Sequence, residues 1–195
     1  MRRYTAIATL LVALAMLLAP PVQAAPAAEP TAQPQLQQQL KDYYFSAARR
    51  GDSAMLKEFI GIGYDLNTRD AKGYTALILA AYHGQADTVE LLLASGANAC
   101  AEDLRGNTAL MGAIFKGEMR IARRLMAAGC QPDAPNNAGQ TAAMYAALFQ
   151  RTEILQALVH QGADPRRRDQ AGNSADSLAR GEFQPPKRGE LPKQR

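Results

Sequence analysis

The sequence predicts an all-α solenoid of paired antiparallel helices joined by β-hairpin-like loops, with about three full repeats between degenerate N- and C-terminal capping repeats. Three observations predict it. Gly73, Gly106, Gly139 and Gly172 are each separated by 33 residues. Three more columns keep that period: Thr75, Thr108, Thr141 and Ser174; Gly63, Gly96, Gly129 and Gly162; Asp70, Asp103, Asn136 and Asp169. Apolar residues recur at helical spacing inside each copy, and two short helices cannot bury such a face unless the next copy stacks on it.

The ends read differently from the body. Residues 1–24 carry Arg2 and Arg3, an apolar run from Ala6 to Ala19, Pro20-Pro21 and small residues up to Ala24, the layout of a secretory signal peptide. The run falls short of the roughly 20 residues a spanning helix needs, so no stable membrane insertion is expected after cleavage. Residues 25–39, built of Ala, Pro and Gln with little to bury, read as a flexible tether. Residues 182–195 read as a basic, Pro-containing, disordered tail. The formal net charge of +4 belongs to these ends: 1–24 and 166–195 hold ten of the 22 Lys and Arg but only four of the 18 Asp and Glu. The body is therefore slightly acidic, which argues against a nucleic-acid partner.

Residues 40–181 form the repeat domain: an N-terminal cap at 40–69, full copies at 70–102, 103–135 and 136–168, and a truncated cap at 169–181. In each copy Asp or Asn followed three residues later by Gly marks a tight turn, and Thr or Ser two residues on caps a helix. That first helix is small-surfaced, with Ala47-Ala48, Ala80-Ala81, Ala113-Ile114 and Ala146-Ala147, and ends at Gly51, Gly84 or Gly117. The fourth has Gln150 there, which predicts a strained or altered turn. The second helix buries Leu56, Phe59 and Ile60; Val89, Leu92 and Leu93; Ala122, Leu125 and Met126; Leu155, Leu158 and Val159.

The segment from Asp70 through Thr75-Ala76-Leu77 and Gly84 to Leu91-Leu92-Leu93-Ala94-Ser95-Gly96-Ala97-Asn98 resembles the ankyrin-repeat family, and the resemblance covers about Asp42 to Gly181. It departs from that family's Thr-Pro-Leu-His signature, reading Thr75-Ala76-Leu77-Ile78, Thr108-Ala109-Leu110-Met111 and Thr141-Ala142-Ala143-Met144. Losing the imidazole that ties neighbouring loops predicts less rigid loops.

The resemblance implies a protein partner on the concave face formed by loop tips and first helices. The matching turn positions include Lys72, Tyr74, Leu104, Arg105, Asn107 and Gln140; the helix positions include Tyr82, His83, Phe115, Lys116, Leu148 and Phe149. Large apolar and aromatic side chains beside basic ones have the composition of a binding patch, set against the alternative that they pack under neighbouring loops.

Cys100 and Cys130 are the only cysteines. Export permits a disulfide, yet one lies four residues past its repeat Gly and the other one residue past, an offset that argues for two separate thiols; a redox sensor is the third reading. His83 and His160 have no second ligand at metal spacing, and no nucleophile motif or phosphate loop is present, so neither metal nor cofactor nor catalysis is expected. The expectation is a monomeric, exported, non-catalytic adaptor, scaffold or protective partner; the alternatives are a secreted effector or immunity-type inhibitor and, last, a redox-sensing protein.

Overall fold

The computed structural model describes residues 32–185. The signal peptide, residues 25–31 of the tether and the tail beyond 185 lie outside the described residues. The chain divides between Gln37 and Gln38, and the repeats occupy the unit that begins at Gln38. The described elements are α1 (Ala32–Arg50), α2 (Ser53–Gly61), α3 (Ala76–Tyr82), α4 (Ala86–Ala94), α5 (Ala109–Lys116), α6 (Met119–Met126), α7 (Ala142–Leu148), α8 (Thr152–His160) and α9 (Ala175–Ala179). First helices α3, α5, α7 and α9 pack one on the next, second helices α2, α4, α6 and α8 do the same, and α3, α5 and α7 each pack on their own second helix.

Local chemistry starts the first helices where the sequence places them. The hydroxyls of Thr75, Thr108 and Thr141 accept N–H bonds from Ile78, Met111 and Met144 at 3.3–3.4 Å, and Ser174 forms a reciprocal capping box with Ser177. Each such cap stabilises its helix by about 1 kcal/mol. The alanine pairs and Ile114 beside them are 0–4% exposed, so successive first helices meet at close range. At the N-terminal end Tyr44 is fully buried among Phe45, Phe59 and Tyr64, and its hydroxyl donates to the Leu66 carbonyl at 3.1 Å. Burial is the main cause that pushes this phenol well above its ordinary pKa.

The loops are held by the Asp/Asn column. Asp103 Oδ1 accepts N–H bonds from Arg105 and Asn107, both at 2.8 Å, and its own N–H donates to the Asn107 carbonyl. Asp70, Asn136 and Asp169 repeat this pattern. Adjacent loops are then joined through the main chain: Leu104 N–H to Lys72 O at 3.1 Å, Asn137 N–H to Arg105 O at 2.9 Å, Gln170 N–H to Ala138 O at 3.0 Å. The Asn137 and Gln170 side-chain amides add a second donor to the preceding loop. The loop-to-loop ties expected to be missing without an imidazole are thus made by backbone and amide groups.

Cys100 and Cys130 form a disulfide, with Cα atoms 5.6 Å apart, which overturns the expectation of separate thiols. The error lies in taking 33 as the spatial offset everywhere. At this turn the chain crosses between layers obliquely, so a side chain in the column of Asn67, Cys100 and Asp133 faces the layer above about 31 residues on. Asn67 Oδ1 accepts the Asn98 N–H at 2.8 Å and the Asp133 carboxylate accepts the Asp164 N–H. The disulfide occupies the position between these two polar ties.

Three smaller expectations change and a fourth, at Gln150, holds. Residues 32–39, assigned to a tether, are helical: Gln and Leu tolerate a helix, and Pro34 sits in its first turn, where its missing N–H costs nothing. Ile154 is fully buried in α8, whereas Val159 is 39% exposed, so the apolar face is turned by one residue from the expected columns. Gln150 has φ +56°, the one non-glycine residue in the left-handed region among the described residues, as its substitution for Gly foretold. Part of the tail is docked: Gln184 exchanges main-chain hydrogen bonds with the Asn173 side chain at 2.7 and 2.9 Å.

Two outcomes test this construction. Reducing the disulfide, or replacing both cysteines with Ser, is expected to lower unfolding free energy by up to about 3–4 kcal/mol, read from urea melts with and without a thiol reductant. Gly106 (φ +77°) and Gly63 (φ +72°) share the same backbone strain, but a Cβ at 106 would lie 2.8 Å from Asn137 N and one at 63 would meet nothing within 4 Å. Gly63→Ala is expected to cost about 1–2 kcal/mol and Gly106→Ala at least about 1 kcal/mol more, because the next loop's backbone must move.

Candidate partner-binding groove

Stacking of the loops beside the first helices leaves an open groove of about 980 Å³. Its apolar floor includes Phe45, Ile78, Leu79 and Met111, and its walls come from α1 on one side and the loops at 69–74 and 103–108 on the other. Gly112 lies mid-helix in α5 beside the Tyr82 ring; a Cβ there would make ordinary van der Waals contact with it at 3.8 Å.

Tyr82 ends α3 and Phe115 lies in the last turn of α5, in the same column. Their rings stack at 6.0 Å with 12° between planes, and Phe149 sets its edge on Phe115 at 5.1 Å. Tyr82 and Phe115 remain 39% and 44% exposed, so stacking orders them without burying them. Lys116 places Nζ 5.2 Å from the Tyr82 centroid, a cation–π arrangement, and His83 lies edge-on to the same ring.

A polar network closes the groove under the second and third loops. Asn136 Nδ2 donates to Asn107 Oδ1 at 2.9 Å and Gln140 Oε1 at 3.1 Å, and the Tyr145 hydroxyl donates to Asn107 Oδ1 at 3.2 Å. Burial first, then the neighbouring Asp103 carboxylate, raise the Tyr145 pKa, which keeps this hydroxyl a neutral donor. The network is internally satisfied.

Of the residues singled out from sequence, Lys72, Tyr74, Tyr82, His83, Arg105, Asn107 and Phe115 line the groove. Leu104 is a 61% exposed loop tip outside the lining, and Leu148, 41% exposed, extends the apolar column beyond it. Lys116 and Phe149 reach the groove only through the Tyr82 and Phe115 rings. Asn107 and Gln140 spend their amides on the internal network, and Tyr74 is half-buried against the core. Sequence reasoning missed Lys41, Arg69 and Tyr145. The signal was present for Tyr145, whose column holds Leu79 and Gly112 on the same helix face, but none existed for Lys41 or Arg69 because α1 and the first loop depart from the repeat. Among the described residues, no three His, Cys, Asp or Glu side chains gather as a metal site would require, and no helix is long and apolar enough to cross a membrane.

A family model described as ankyrin repeats in three copies matches residues 44–136 and 100–169. A Pseudomonas aeruginosa protein named for ankyrin repeats is 47% identical over 47 residues, 24% of this chain and 28% of the relative. Ankyrin repeat domain-containing protein 29 of Homo sapiens is 46% identical over 55 residues, 28% of this chain and 18% of the relative. The ankyrin repeat protein YahD of Escherichia coli is 38% identical over 55 residues, 28% of this chain and 27% of the relative. These matches span less than a third of each curated relative, so they bear on the repeat alone. Ankyrin repeats are generally modules of protein–protein interaction and generally non-catalytic. With the family model spanning well over half of its length, the chain belongs to the ankyrin repeat family.

Proposed function

We propose that this chain is a non-catalytic adaptor, scaffold or protective partner that holds a protein in the groove between its loops and first helices, and that it does so after export. One observation carries the binding reading: Tyr82, Phe115 and Phe149 form a contiguous aromatic strip at the groove, with the first two still more than a third exposed. Aromatic rings already locked against one another lose little freedom when a partner covers them, so they are suited to act as anchors. The groove is open to solvent, which suits a chain or a protuberance of a protein partner.

The export reading rests on residues 1–24 and is supported by the disulfide, since such bonds persist in oxidising compartments. Fractionation of expressing bacterial cells is expected to recover a chain cut after Ala24 in the periplasm or medium, with both cysteines protected from alkylation. Recovery of the uncut chain in the cytoplasm would reject export.

For the groove, the test is the full chain against Tyr82→Ala/Phe115→Ala in capture from a periplasmic extract, followed by affinity measurement with whatever is captured. The double variant is expected to bind at least tenfold more weakly, about 1.4 kcal/mol, while its melting temperature stays within a few degrees. Unchanged affinity would remove the strip from the binding surface. Loss of folding would show that the rings are core.

A further inference from the structure

We infer that the groove selects an acidic, extended peptide segment of its protein partner, with carboxylates three residues apart along the stack. This rests on the groove being the binding surface and adds the chemistry of what it binds.

The charge left unspent in the groove is the basis. Three carboxylates line it, and two are committed to the fold. Asp70 accepts the N–H groups of Lys72 and Tyr74 on one oxygen and pairs with Arg49 at 3.4 Å on the other. Asp103 is 8% exposed and is spent on the N–H groups of Arg105 and Asn107 and the Asn107 amide. Only Asp42 remains, and it already accepts from the Gln38 amide. Against it stand exposed Lys41, Arg69, Lys72 and Arg105, none of which has an ion-pair partner among the described residues, although Arg69 donates to the Glu102 carbonyl. A chain whose body is slightly acidic thus presents a basic groove.

The spacing follows from the stack. Lys72 and Arg105 occupy one column, a single period apart, and their loops are joined by the Leu104 N–H to Lys72 O bond. Stacked helices lie about 8–10 Å apart, and an extended polyproline II chain advances about 3.1 Å per residue with about three residues per turn, so one layer equals about one turn and residues i and i+3 share a face. An Asp or Glu pair at i and i+3 therefore meets both cations while an apolar side chain reaches the Tyr82–Phe115 strip. The chain's own tail fits poorly: residues 186–195 carry four basic residues and one acidic, so the groove repels it. Four cations with three carboxylates in the same groove are too few for the backbone of a nucleic acid, which favours a peptide.

The experiment selects binders to the full chain from a displayed library of random dodecapeptides, then synthesises the enriched ones for fluorescence anisotropy. Enriched peptides are expected to be net acidic with carboxylates three apart. Replacing those carboxylates with Lys, or using Lys72→Glu/Arg105→Glu, is expected to weaken binding at least tenfold, and raising salt from 50 to 300 mM to weaken it severalfold. Neutral or basic winners whose binding still requires Tyr82 and Phe115 would overturn acidic selectivity and leave the groove reading standing. Winners indifferent to both pairs of substitutions would overturn both. Equal affinity for a single-stranded oligonucleotide would overturn the peptide assignment.

Discussion

The close approach of alanine-surfaced first helices is the constraint from which the rest of this molecule follows. Ala80-Ala81, Ala113-Ile114 and Ala146-Ala147 are sealed between neighbouring layers, and their small size sets the layer spacing. That spacing lets the loops reach each other through main-chain hydrogen bonds instead of through a dedicated side chain. It also forbids a Cβ at Gly73 or Gly106, where the next loop's backbone already occupies the volume. Burial in such a stack is shared between neighbours, so no copy owns its core and stability passes from layer to layer.

Where the period of 33 held, the fold was legible. The caps at Thr75, Thr108, Thr141 and Ser174 and the sealed alanine pairs follow from similar residues recurring in one column, and the strained turn at Gln150 follows from the glycine column that it breaks. The groove was half legible, because column logic found Tyr82 and Phe115 but assigned Asn107 and Gln140 to a partner, when Asn107 accepts from Asn136 of the next loop and Gln140 accepts from Asn136 of its own. A polar side chain at an outward position says nothing about whether a neighbouring loop has already claimed it. Residues outside the period, such as Lys41 and the helical 32–39, carried no comparable signal: Gln-rich sequence is compatible with coil and with helix, and packing decides.

The disulfide shows why sequence offset and spatial offset part company in a repeat protein. Loop tips face their equivalents in the next layer at about 32–33 residues, whereas the turns at the other end of each copy lean across the layer boundary and meet residues about 31 away. Asn67 and Asp133 use that geometry for hydrogen bonds to the turn above; Cys100 uses it for a covalent bond. A column that alternates between exchangeable polar ties and one permanent tie fixes the register of the two central layers, which are the layers that carry Tyr82 and Phe115.

That coincidence links stability to recognition. The aromatic strip is built from side chains on successive layers, so its 6.0 Å stacking depends on interlayer register more than on any single helix. A slip between layers would separate the Tyr82 and Phe115 rings and part Lys72 from Arg105 in the same motion, since both pairs bridge one boundary. The Asp column, the loop ladder and the disulfide all act on that boundary, and the Asp103 carboxylate, buried against its own loop's N–H groups, keeps its charge but is not free to pair with the exposed cations. The groove's positive character is therefore a by-product of how its loops are held together: acids face inward to hold the main chain, and the cations beside them are left facing out.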